Sequence, residues 1–157
     1  MLKWGLCMIN LIQTNLKIGV ALLLIGLFVS GCASGPTVSQ ASNFESAPKN
    51  GMSRLVIYRP KGLAGFAIQP TIRVNGKETG KCKPNGVFFI DVPGGNHQIT
   101  AATEWQSKIT VETKNSDVIY VRCGLRIGLF VGQPTLTIVP DTKAIIEVSK
   151  LSFTGQF

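Results

Sequence analysis

Ile119-Tyr120-Val121-Arg122-Cys123-Gly124-Leu125-Arg126-Ile127-Gly128-Leu129 carries an aliphatic residue or cysteine at every odd position and Tyr, Arg or Gly at every even one. Side chains alternate across a strand with a period of two, so this stretch is a strand. Ile119, Val121, Cys123, Leu125, Ile127 and Leu129 face a core, while Tyr120, Arg122, Gly124, Arg126 and Gly128 face outward. Carried outward from here, the same logic finds short β-branched segments separated by Gly, Asn and Pro from Ser53 onward. Upstream, Lys114-Asn115-Ser116-Asp117 reads as a turn, Ile109 and Val111 mark a strand, and His97 to Trp105 forms another with Ile99, Ala101 and Trp105 inward. Downstream, Thr135 to Val139 is the last core strand expected. Asp141 then reads as the N-cap of a short helix with Ile145, Val148 and Leu151 near helical spacing, although a strand stays open for so β-branched a segment.

The first half of the domain follows the same pattern. Leu55-Val56-Ile57-Tyr58 is apolar enough to be covered on both faces. Asn75-Gly76, between Ile68–Val74 and Lys77–Cys82, is a hairpin signal because both turn positions need positive φ. A two-residue turn sets Ile72 opposite Thr79 and Arg73 opposite Glu78, a favourable charge pair. Strict alternation would then put Cys82 on the Arg73 face, and a bulge near Gly80 would return it to the core side. Asn85-Gly86 turns the chain into Val87–Val92, where Phe88, Ile90 and Val92 share a face, and Pro93-Gly94-Gly95-Asn96 is the next turn. About seven or eight short strands at roughly ten-residue spacing indicate an all-β fold, an antiparallel β-sandwich with a possible short C-terminal helix.

The order of these features resembles a known group. Tyr58-Arg59 ending a first strand, the Val74-Asn75-Gly76-Lys77 hairpin, Gly80, Asn85-Gly86-x-Phe88 and Pro93-Gly94-x-x-His97 look like a family of small bacterial lipoproteins bearing an all-β domain of unknown function. The resemblance covers about residues 53 to 150. In that family the Pro-Gly turn reaches His after one residue, whereas Gly95 and Asn96 both intervene here. The family implies a prealbumin-like or immunoglobulin-like sandwich and a cell-envelope location, and it supplies no established active site.

The N-terminal region fits that location. Ile18 to Val29 is a run of twelve uncharged residues, the length of a signal-peptide core and too short to span a bilayer as a helix. Lys17 precedes it and Val29-Ser30-Gly31-Cys32 closes it, an arrangement that resembles the bacterial lipoprotein signal. That resemblance implies cleavage before Cys32 and diacylglycerol on its thiol, the alternative being a buried cysteine after a core helix. Met8 gives a more compact leader than Met1 and is the expected start. Residues 1–31 are thus expected to be a signal peptide, 32–52 a lipidated flexible tether rich in Ser, Asn, Ala and Pro, and 53–157 the β-sandwich domain. As a random coil, the tether would hold the domain some 20–30 Å off the bilayer.

Removing the leader leaves 126 of the 157 residues, one domain's worth, with 14 basic and 8 acidic side chains. This moderate basic excess lacks dense Lys/Arg runs and suits anionic surfaces, the alternative being a merely solvated face; the expected partners are the membrane, which the lipoprotein-signal resemblance implies through the N-terminal lipid, and an envelope protein or anionic envelope polymer, and not nucleic acid. Ala33 follows Cys32 where an aspartate would signal inner-membrane retention in many two-membrane bacteria, which implies an outer-membrane protein facing the periplasm if the source has two membranes.

No phosphate-cradling loop, zinc spacing, nucleophile elbow or carboxylate pair is present in the sequence, so no cofactor, metal or enzymatic activity is expected. His97, the one histidine, has the parity of Ile99 and Ala101 and reads as structural; the competing reading is an enzyme or sensor of a wall or lipid ligand acting through His97. Cys82 and Cys123 are the thiols left once Cys32 carries lipid and are a disulfide candidate, with two separate buried thiols as the alternative. Tyr120, Arg122 and Arg126 form the candidate binding face, because arginine suits carboxylate or phosphate and tyrosine adds contact area. The commitment is a lipid-anchored protein whose sandwich binds or scaffolds another envelope component.

Overall fold

The computed structural model describes residues 35–41, 47–62, 65–127 and 132–156. The expected leader, Cys32, Gly128 and Leu129 lie outside the described residues. Among the described residues, nine strands form two sheets: β1 (Met52–Arg59), β2 (Thr71–Val74), β3 (Lys77–Lys81), β4 (Gly86–Pro93), β5 (Gly95–Ala102), β6 (Gln106–Thr113), β7 (Val118–Ile127), β8 (Gly132–Val139) and β9 (Ser152–Gln156). The helix α1 (Asp141–Val148) lies between β8 and β9. The larger sheet runs β8-β7-β1-β4-β9 and the smaller β3-β2-β5-β6. This is the all-β sandwich with a short C-terminal helix that the alternation implies, with β9 added.

The alternating residues decide which side of each strand is core. Leu55, Ile57, Phe88, Val92, Val121 and Cys123 of the larger sheet pack against Ile72, Val74, Ile99, Ala101 and Val111 of the smaller. Each buried Val, Leu, Ile or Phe among them stabilises the fold by about 1.5–3 kcal/mol. The intervening residues are also buried. Val56, Tyr58, Val87, Phe89 and Val139 form a second cluster on the outer face of the larger sheet with Val38, Ala144, Val148 and Leu151. The consecutive apolar runs of β1 and β4 are the sequence counterpart of a sheet covered on both faces.

The pairing is not wholly antiparallel: β1 lies parallel to β7, and β4 parallel to β9. Parallel neighbours need long crossovers, and the whole smaller sheet is threaded between β1 and β7. In the β2–β3 hairpin, Asn75 and Gly76 take φ of 51° and 81°, the left-handed values a two-residue turn requires. Arg73 stands opposite Glu78 as the spacing implies, but Ile72 pairs with Gly80, making Thr79 an extra residue in a bulge. The expected Ile72–Thr79 pairing is thereby corrected, and Cys82 turns inward to full burial.

Three further expectations are corrected. Trp105 is not inward: β5 ends at Ala102, and Trp105 sits in the turn to β6, 55% exposed. Asp141 is the first residue of α1, while Pro140 holds the N-cap position. A proline ahead of a helix is suited to its start because its missing N–H needs no partner there. The segment expected to be a free tether is also partly fixed, since Pro36–Ala41 packs on the domain. Phe153 N–H donates to Pro36 O at 2.8 Å and Val38 N–H to Leu151 O at 3.0 Å, with Val38 and Ala41 buried. Two apolar side chains and the open backbone of β9 make that segment part of the fold, which composition alone does not reveal.

Two buried arginines brace the larger sheet. Arg54 of β1 meets Asp91, its cross-strand partner on β4, through Nε–Oδ1 at 2.7 Å and Nη2–Oδ2 at 3.0 Å, with only 4% and 3% of the two side chains exposed. The Arg54 guanidinium also stacks on the Phe89 ring at 3.8 Å. Burial pushes the Asp91 carboxyl up, but the hydrogen bonds and charge of Arg54, helped by Lys49, outweigh it and hold the group below the ordinary aspartate value. Arg59, at the other end of β1, donates to the carbonyls of Gly65, Ile68 and Cys82, and burial lowers its pKa. It ties the β1–β2 connection to the end of β3.

Candidate functional site

The helix decides what becomes of the outward face of β7. On one turn of α1, Ala144 and Val148 point into the outer cluster, leaving Ile145 on one flank and Lys143, with the Arg122-paired Glu147, on the other. Tyr120 and Arg122 are two residues apart on the same strand face, yet they fall on opposite sides of this helix. Tyr120 joins Val56, Val118, Ile145 and Val148 in an apolar groove of about 570 Å³. It is half-buried against the outer cluster, so the exposed aromatic expected from alternation is corrected. Burial and the charge of Asp141 raise its phenol pKa, against a lowering by Arg54.

Arg122 faces the other side and lines a separate cleft of about 450 Å³ with Gly124, Thr135, Thr137, Pro140 and Lys143. The register explains the grouping: Arg122 stands opposite Thr137, Gly124 opposite Thr135, and Arg126 opposite Gln133. Gly124 keeps the floor open, since a Cβ there would stand 3.0 Å from Thr135 Oγ1. Arg126, exposed on the same face, extends the basic surface beyond it. Arg122 Nη1 lies 3.7 Å from Glu147 Oε1, and Tyr58 donates its hydroxyl to Glu147 Oε2 at 2.8 Å. One carboxylate is therefore held at the rim, partly offsetting Arg122, while Lys143 is exposed. Two cations over two threonine hydroxyls can hold a phosphate or carboxylate by charge-assisted hydrogen bonds. Alternation identified Arg122 and Arg126. It missed Thr135, Thr137 and Lys143, which reach the cleft only through β7–β8 pairing and the placement of α1.

His97 is buried as its parity implies, and both ring nitrogens are engaged. Nε2 donates to Pro93 O at 2.7 Å, and Nδ1 accepts from Asn75 Nδ2 at 3.0 Å. The amide orientation is set by Gln98 N–H, which donates to Asn75 Oδ1 at 2.9 Å. His97 therefore locks the β4–β5 turn to the β2–β3 turn. The cleft and His97 are on different sheets.

Cys82 and Cys123 are joined by a disulfide with Cα atoms 6.2 Å apart, linking the end of β3 to β7 and so one sheet to the other. Among the described residues no group of three or more His, Cys, Asp or Glu is arranged to hold a metal, and no helix is long and apolar enough to cross a membrane.

A family model described as a protein of unknown function, DUF2846, matches residues 49–133, more than half of the chain. The chain belongs to the DUF2846 family. The matched span of this DUF2846 chain runs from just before β1 to the beginning of β8, so it includes both sheets' central strands and the β7 half of the cleft, but neither α1 nor β9. A relative from Haemophilus influenzae, described as an uncharacterized protein, is 26% identical over 163 residues, covering 96% of this chain and 96% of the relative.

Proposed function

We propose that this DUF2846 chain is an envelope lipoprotein that uses the cleft around Arg122, Lys143 and Arg126 to hold an anionic group of another envelope component. In this reading the chain is cut before Cys32, whose thiol carries the lipid, and Ala33 sends it to the outer membrane of a two-membrane cell. The anchor is supported by the Lys17, apolar run and Val29-Ser30-Gly31-Cys32 pattern. The binding role is carried by one observation: a concave, threonine-floored surface bearing Arg122 and Lys143, with Arg126 beyond it.

Crosslinking in cells tests the binding role. Charge reversal of Arg122 and Arg126 together should weaken partner capture and its salt sensitivity while the protein still folds, because both side chains are exposed. Capture unchanged in that variant would end the cleft reading. For the anchor, Cys32→Ala should eliminate metabolic lipid labelling, and labelling that persists would show the lipid lies elsewhere or not on this thiol. The enzyme alternative through His97 has less support, because its ring nitrogens already serve Pro93 and Asn75.

A further inference from the structure

The fixed N-terminal segment shortens the distance over which a lipid on Cys32 can act. Pro36 is hydrogen-bonded to Phe153, Thr37 bridges to Ser152, and Val38 is bonded to Leu151 and packed in the outer cluster with Ala144 and Val148. Four peptide steps separate Cys32 from Pro36, and extended chain covers at most about 3.6 Å per step, or roughly 14 Å in all. This is less than the 20–30 Å allowed by a wholly free tether. A domain held so closely keeps the surface around Pro36 within reach of the headgroup layer.

The surface beside the leash has the composition for that contact. Val38 and Ser39 line the same groove as Ile145, Val148 and Ser149, so the N-terminal segment and α1 lie side by side on the outer face of the larger sheet. There α1 presents Ile145 and Ile146, 56% and 63% exposed, with Lys143 and Lys150 exposed at either end of the pair. Scattered exposed isoleucines need no explanation. Two adjacent ones between lysines, next to the point where the lipid-bearing chain leaves the domain, match an interfacial helix that inserts aliphatic side chains below anionic headgroups.

We infer that α1 docks on the anionic phospholipid surface in which Cys32 is anchored, seating Ile145 and Ile146 in the interface and Lys143 and Lys150 on phosphate. The inference rests on acylation of Cys32 as proposed above.

Full-length protein is expressed in a bacterial host that processes lipoproteins, then reconstituted in phosphatidylethanolamine vesicles containing about a quarter phosphatidylglycerol. A nitrobenzoxadiazole label is placed at Ile146→Cys and, as reference, at Thr110→Cys on the exposed face of β6. Nitroxide-bearing lipid should quench the label at 146 at least about threefold more than the label at 110, with a blue shift only at 146. Replacing both Lys143 and Lys150 by serine should reduce that difference. The mass of the N-terminal peptide reports acylation separately. An acylated chain quenched equally at both positions overturns docking and leaves the anchor standing, whereas a chain without lipid on Cys32 overturns the anchor and the docking with it.

Discussion

Asp91→Asn removes one charge from the Arg54–Asp91 pair while keeping the shape of the side chain, and it should destabilise the domain by about 3 kcal/mol. Breaking one half of a buried ion pair costs about 3–5 kcal/mol, because the remaining charge stays out of water. Arg54 is that remaining charge, with 4% of its side chain exposed. Its stacking on Phe89 at 3.8 Å survives the substitution and offsets about 0.5–2 kcal/mol, which places the loss at the lower end. For a domain near 100 residues, each 1 kcal/mol shifts the melting temperature by about 4–8 °C, so a drop of about 12 °C or more is expected. Replacing both partners by apolar residues, Arg54→Met with Asp91→Leu, should recover most of it, since neither buried charge then remains. The pH dependence supplies a second check. The folded carboxyl titrates below its unfolded value, so its contribution is complete above an unfolded pKa of about 3.9 and is lost as pH falls through the lower folded value. Wild type should therefore lose stability on acidification more steeply than Asp91→Asn. Urea and thermal unfolding by circular dichroism measure both effects. A single variant within about 1 kcal/mol of wild type, or a double variant no better than the single, would refute the reasoning.

Three other outcomes are expected. Reducing the Cys82–Cys123 bridge frees a loop of 41 positions and should cost about 3–4 kcal/mol through the unfolded chain; non-reducing peptide mapping should find the two peptides linked, and free alkylation of both thiols before reduction would contradict it. His97→Gln should lower stability by about 1–3 kcal/mol, as the Pro93 and Asn75 contacts lose a ring of matching shape, and should leave partner capture intact; capture lost in a folded His97→Gln protein would revive the enzyme reading. Tyr58→Phe should cost about 1–2 kcal/mol, and because burial and then the Glu147 hydrogen bond push this phenol above its usual range, tyrosine absorbance in the native protein should show Tyr58 still protonated where a free phenol has ionised; normal ionisation of both tyrosines would contradict it.

The parts legible in the sequence were those set by local chemistry. Asn75-Gly76 demands left-handed backbone, and the 119–127 alternation demands a strand, whatever else is present. The bulge that returns Cys82 to the core was legible because glycine and the inward need of a cysteine coincided at Gly80. What stayed hidden was set by layers laid on later. Tyr120 reads as exposed until α1 covers it, and the contact of Arg54 with Asp91 and Phe89 exists only once β4 lies beside β1. Val38 and Ala41 read as tether residues because two apolar side chains among small polar ones carry no period; only the unpaired edge of β9 gives them a place. Of the cleft, the arginines followed from alternation, whereas Thr135, Thr137 and Lys143 depended on pairing and helix placement beyond any local pattern.

The central position of β1 governs the order in which this chain can fold. Its neighbours are residues 86–93 on one side and 118–127 on the other. A chain extended only to Thr113 possesses all four strands of the smaller sheet but just β1 and β4 of the larger, and none of the residues of α1 that cover Tyr58. No amino-terminal fragment of that length can bury both faces of its own first strand. Folding must wait for contacts spanning some sixty positions, whose loop-closure cost precedes any gain and slows the search. The strand made first is thus among the last to be enclosed, and nearly the whole chain has to be present before the fold can close.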